Sequence, residues 1–201
     1  MNYSIDGKAF IHWRKLMLLK GGRKVDFDWL LDIGAGISWT ILQKTILDQE
    51  VCLSLKLSIS ELEIIWDSHL KDETPLQYLL AKCPWRDFEL VVSEDALIPR
   101  QETEIMIELA IAKVKDTKYG RWADLGTGSG PLAISLSKSL PDWEGHAVDI
   151  SKNALELAKR NLNTLIPKSN VEFSLGDWWE PLRTWWGGFD LVLSNPPYIP
   201  S

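Results

Sequence analysis

Asp124-Leu125-Gly126-Thr127-Gly128-Ser129-Gly130 lies where a strand-like apolar run (122–125) gives way to a helical pattern (131–139). Glycines at such a point admit positive φ and let the backbone approach a ligand closely. A dinucleotide fingerprint would need glycine at 131, where Pro131 stands; proline costs little in the first turn of a helix. Asp149 closes the next strand pattern, and a carboxylate there accepts both hydroxyls of a ribose, the mark of a nucleoside ligand. A second constellation, Asn195-Pro196-Pro197-Tyr198, follows the apolar run 189–194. Paired prolines fix the backbone and end any ladder. The Asn195 side-chain oxygen and the Pro196 carbonyl can then aim at one planar NH₂ group, with the Tyr198 ring packed on the flat group that carries it.

These residues need a sheet to bring them together. The patterns predict strands at 122–125, 146–149, 171–174 and 190–193 and helices at 131–139 and 152–163. Alternation of this kind implies parallel crossovers and a doubly wound α/β sheet, with both loops at its carboxyl edge. Upstream, Phe88, Leu90 and Val92 alternate with Asp87, Glu89 and Val91, the signature of a strand, half of a hairpin. Helical spacing returns over 102–115. Residues 1–82 read as short helices with no strand: one over 10–20, one from Asp26 or Asp28 through Leu31, and one capped by Ser38. A capping box at Ser60–Glu63 and a Thr74-Pro75 start open the last two. Asp32-Ile33-Gly34-Ala35-Gly36 imitates the glycine loop, but helical pattern surrounds it and no strand ending in an acid follows. It reads as a helix terminator.

Charge narrows the partners. The 22 basic and 28 acidic residues give a net charge of −6. Residues 1–82 hold 10 basic and 11 acidic residues, which leaves 12 and 17 for the remainder. Neither part offers the basic surplus of a protein drawn to nucleic acid by long-range attraction. Cys52 and Cys83 form neither a disulfide framework nor a metal-ligand spacing, and His12, His69 and His146 are scattered, so no metal site is expected. No signal peptide or membrane span is expected, and the chain reads as cytoplasmic. Eleven tryptophans point to aromatic packing.

The glycine loop resembles motif I of S-adenosylmethionine (SAM)-dependent methyltransferases, and the Asn195–Tyr198 segment resembles that of enzymes that methylate planar nitrogens. Thr74-Pro75-Leu76-Gln77-Tyr78-Leu79-Leu80, Leu97-Ile98-Pro99-Arg100-Gln101-Glu102-Thr103-Glu104, the glycine loop, Gly176-Asp177-Trp178 and Ser194-Asn195-Pro196-Pro197-Tyr198-Ile199-Pro200 occur in one order. Together they resemble the N(5)-glutamine methyltransferase family that acts on peptide chain release factors. The resemblance implies that Gly126, Thr127, Gly128, Ser129, Gly130 and Asp149 hold SAM, that Asp177 and Trp178 flank its adenine, and that Asn195 lies beside the methyl group. It assigns catalysis to Asn195, Pro196 and Tyr198, and binding of the substrate glutamine to Asn195, Pro196, Pro197 and Tyr198. That glutamine belongs to the Gly-Gly-Gln loop of a class 1 release factor, and the other product is S-adenosylhomocysteine. A monomer is expected.

The resemblance divides the chain into a helical N-terminal domain (1–82) for recognition of the substrate protein, a hairpin or linker (83–99), and the methyltransferase domain (100–201). Arg100, Glu102 and Thr103 either line the cofactor pocket or cap a helix. Gln101 departs from the proline usual in the family, and the family continues past Asn195–Tyr198 with further strands, so the chain is expected to be truncated after its fourth strand. Two competing assignments are a nucleic-acid methyltransferase acting on adenine N6, which presents the same planar NH₂, and an inactive remnant that only binds SAM.

Overall fold

The computed structural model describes residues 2–196; Pro197 and Tyr198 of the candidate site lie outside them. The chain divides into two compact units, Met1–Leu80 and Ala81–Ser201.

The first unit contains β1 (Tyr3–Asp6), α1 (Gly7–Leu19), α2 (Lys24–Leu30), α3 (Trp39–Leu47), β2 (Cys52–Leu55), α4 (Ile59–Asp72) and α5 (Leu76–Leu80). The all-helical expectation needs correction, because β1 and β2 pair antiparallel with Ile5 opposite Leu53. Strands of four residues, separated by three helices, leave too short an alternation to be seen locally. The capping box also shifts by two residues. Ser58 caps α4, accepting from the Glu61 amide at 3.2 Å while Glu61 accepts from the Ser58 amide at 2.7 Å. Glu63 is engaged elsewhere, accepting from Trp13 Nε1 at 2.8 Å. The imitation glycine loop is a terminator, as expected: a π-turn over Leu31–Ala35 closed by Gly36 at φ 75°. The core of this unit is aromatic. Phe27 meets the Trp66 ring edge-on at 4.8 Å, and the buried Trp66 Nε1 donates to the Met17 carbonyl.

The second unit begins with a hairpin of β3 (Lys82–Trp85) and β4 (Phe88–Val91), so the segment expected as a join is built into this unit. A single 3₁₀ turn, Gln101–Thr103, leads into α6 (Glu104–Val114). Then follow β5 (Arg121–Leu125), α7 (Pro131–Ser139), β6 (Glu144–Asp149), α8 (Lys152–Leu165), β7 (Val171–Leu175), a 3₁₀ segment (Glu180–Trp185) and β8 (Leu191–Ser194). The four strands form one parallel sheet in the order β7-β6-β5-β8, a Rossmann-like α/β arrangement. Helices α7 and α8 pack on each other and on β6. The other face is closed by Leu182 of the 3₁₀ segment and by Phe189, against Ala123, Leu125 and Val148.

Trp122 and Gly145 are a matched pair inside this sheet, opposite each other on β5 and β6. A Cβ at Gly145 would overlap the buried Trp122 ring. Gly145→Ala therefore forces the indole or the strand to move, and denaturant unfolding should register a loss of about 1–3 kcal/mol. An unchanged midpoint would show that the two strands do not depend on this fit.

Candidate functional site

The strand order sets the site. From β5 the chain turns toward β6, whereas β8 lies on the opposite side of β5, so a switch point opens between the carboxyl ends of β5 and β8. Leu125 and Ser194 are in register there, and Ser194 Oγ donates to the Leu125 carbonyl at 2.9 Å. The glycine loop leaves from one strand end and Asn195-Pro196 from the other. A Cβ on Gly126 would lie 4.0 Å from the Pro196 Cα, so the two segments adjoin.

The loop is held by its own hydrogen bonds. The Gly126 and Thr127 amides both donate to the Val148 carbonyl at 2.9 Å, which fixes the start of the loop to β6. Asp149 Oδ2 accepts from the Gly128 amide at 2.8 Å and its Oδ1 from the Ser151 amide at 2.9 Å. Each oxygen retains a further lone-pair site, so the same carboxylate can both shape the loop and accept ribose hydroxyls. Gly126, Gly128 and Gly130 all have positive φ (75°, 56° and 88°). At Gly128 a Cβ would meet no atom closer than Ala96 Cβ at 3.8 Å. The left-handed backbone favours glycine at 126 and 128, and both positions lie open rather than packed against protein.

Asp124 lies beneath the loop and is wholly buried. Its Oδ2 accepts from Thr127 Oγ1 at 2.7 Å. Burial pushes its pKa up to about 7, opposed by the Thr127 hydroxyl. Ser129 Oγ is also buried and has no hydrogen-bond partner among the described residues. Asp177 and Trp178 follow β7 on the same sheet edge, with Trp178 half exposed at φ 45°, a strained backbone for a bulky residue. The edge thus carries, in order, Asp177 and Trp178, Asp149, the glycine loop, and Asn195 with Pro196.

Two residues matter more than sequence reasoning showed. Asn161, a polar side chain on the buried stripe of α8, donates to the Ser129 and Val91 carbonyls at 2.9 and 2.8 Å and accepts from the Val91 amide at 3.0 Å. It clamps the glycine loop to β4; the signal was an asparagine where helical spacing calls for an apolar residue. Thr103 Oγ1 accepts from Asn195 Nδ2 at 2.9 Å. The hairpin supports this end as well, since Trp85 Nε1 donates to the Arg100 carbonyl, which also accepts from the Thr103 amide. His146 is a core histidine, buried against Trp185 and Phe189, and burial lowers its pKa.

The fold is that of the methyltransferase class: the family model described as "Methyltransferase small domain" matches residues 91–200. A release factor glutamine methyltransferase of Prochlorococcus marinus is 60% identical over 94% of this chain and 65% of its own length. One from a Synechocystis species is 33% identical over 98% of this chain and 68% of its own length, and one from Thermosynechococcus vestitus is 41% identical over 74% and 52%. The chain belongs to the release factor glutamine methyltransferase family. It spans about two thirds of the length of the first two of these relatives.

The buried acid gives a testable pH dependence. An aspartate whose folded pKa is raised stabilises the fold fully below its unfolded value near ~4, and that contribution is lost as pH rises through the folded value. The window therefore closes at about pH 7. Asp124→Asn should gain stability relative to the parent between these limits, by at most roughly 4 kcal/mol, in denaturant unfolding at a series of pH values. A difference that stays constant with pH would contradict the assignment.

Proposed function

We propose that this chain binds SAM and directs its methyl group to the side-chain amide nitrogen of the glutamine in the Gly-Gly-Gln loop of a class 1 release factor, in the cytoplasm and as a monomer. The observation that carries this reading is the meeting of the glycine loop and Asn195-Pro196 at the ends of two adjacent, mutually bonded strands. The family relationship supports the substrate assignment.

In this reading the glycine loop, Ser129 and Asp149 form the cradle: open backbone at Gly126 and Gly128, a buried hydroxyl without a partner among the described residues, and a carboxylate with acceptor sites to spare. These features fit a nucleoside sulfonium, and when bound it supplies an electrophilic methyl group. In this reading Asp177 and Trp178, which follow β7, flank the adenine, and Trp178 is half exposed. The rest falls to the protein. An amide nitrogen is a weak nucleophile because its lone pair is delocalised, so the protein must align it and favour the charge that develops on it. The Asn195 Oδ1 and the Pro196 carbonyl are two acceptors for its two N–H groups, and they leave one face of the plane free. Pro197 and Tyr198 complete the substrate clamp in this reading. The first unit is assigned to holding the substrate protein; its exposed Trp39, Ile46 and Leu47 on α3 offer apolar surface for that task.

Titration with SAM followed calorimetrically tests the cofactor half. The parent should bind, and Asp149→Ala should weaken binding by roughly 10- to 100-fold, the loss of hydrogen bonds to a charged acceptor. Binding that survives the substitution unchanged would remove Asp149 from the site.

A further inference from the structure

We propose that Thr103 is a positioning residue for the methyl acceptor, acting through Asn195; this rests on the reading of Asn195 given under Proposed function. An asparagine amide offers an acceptor on one side and two donors on the other, and the two flipped orientations have nearly the same shape. Only one of them serves. The substrate NH₂ is itself a donor, so Asn195 must present Oδ1 and keep Nδ2 out of the way.

Thr103 holds the amide in the orientation that serves. Its Oγ1 takes the Nδ2 hydrogen at 2.9 Å, across 92 positions of sequence. Thr103 is buried, whereas Asn195 is exposed at the sheet edge, so the amide is anchored from the protein side with its carbonyl left for a ligand. Helix capping does not explain the threonine. It closes the 3₁₀ turn that runs into α6, its φ and ψ are already helical (−67°, −20°), and its side chain makes no cap hydrogen bond. A buried hydroxyl that has no capping role and meets the candidate catalytic amide is placed for that amide.

Thr103 is in turn held by the hairpin. Its amide donates to the Arg100 carbonyl, and the buried Trp85 indole donates to the same oxygen at 3.2 Å. The anchor is therefore a rigid one. In this role Thr103 acts only through Asn195, so its loss should act on the rate of transfer and leave SAM affinity alone.

The test compares T103V and T103S with the parent, using the full gene product, labelled SAM and purified release factor. T103V, which keeps the shape and removes the acceptor oxygen, should lower kcat by roughly 10- to 100-fold, the scale of a small misplacement of a reacting group. The SAM Kd and the unfolding midpoint should stay near the parent values. T103S, which keeps the oxygen, should recover most of kcat. On an Asn195→Ala background, T103V should cost nothing further, because the amide it orients is gone. The role is overturned if T103V matches an active parent, if T103S falls as far as T103V, or if T103V costs as much without Asn195 as with it. A parent that transfers no methyl at all is a different result: it overturns the reading of Asn195 on which this role rests.

Discussion

Ser194 Oγ reaches across two neighbouring parallel strands to the Leu125 carbonyl, and the site depends on that register. Parallel strands present all their carboxyl ends at one edge, and the reversal of strand order opens a crevice there. Register decides which loops share the crevice. With Leu125 opposite Ser194, the glycine loop and Asn195-Pro196 emerge side by side. Because side chains on a strand alternate between faces, a slip of β8 by one residue would turn the buried Leu193 to the wrong face and bury a different set.

The β3–β4 hairpin has a larger part in this than a connector would. At one end it meets Asn161, which holds the Ser129 carbonyl of the glycine loop; at the other, Trp85 holds Arg100 and through it Thr103. One small ribbon therefore braces both segments that converge on the switch point. Each contact uses a backbone carbonyl or amide of loop or ribbon. Their positions are thus fixed without consuming the side chains that would face a ligand.

Local chemistry made much of this legible in the sequence. Glycines at 126, 128 and 130 after an apolar run, and Asp149 at the end of the next, carry their meaning in spacing, and α7 begins at Pro131 as its first-turn preference requires. The four strands of the parallel sheet lie within two residues of the expected ranges for the same reason. What was not legible is long-range. The β1–β2 ribbon pairs residues almost 50 positions apart, and Thr103 meets Asn195 from 92 positions away. Nothing near Thr103 distinguishes a cap from a positioning hydroxyl; only the fold does. The capping-box shift is a milder case, since Ser58–Glu61 and Ser60–Glu63 satisfy the same local rule, and the engagement of Glu63 by Trp13 separates them.

The central claim is that the planar nitrogen held at this edge is a protein amide and not a nucleobase. The most direct measurement offers the full gene product labelled SAM together with a release factor and DNA in one mixture, then asks which macromolecule carries the label. Label on the release factor, lost when the glutamine of its Gly-Gly-Gln loop is replaced, is the predicted result. Label on the DNA, or on a release factor without that glutamine, would contradict it.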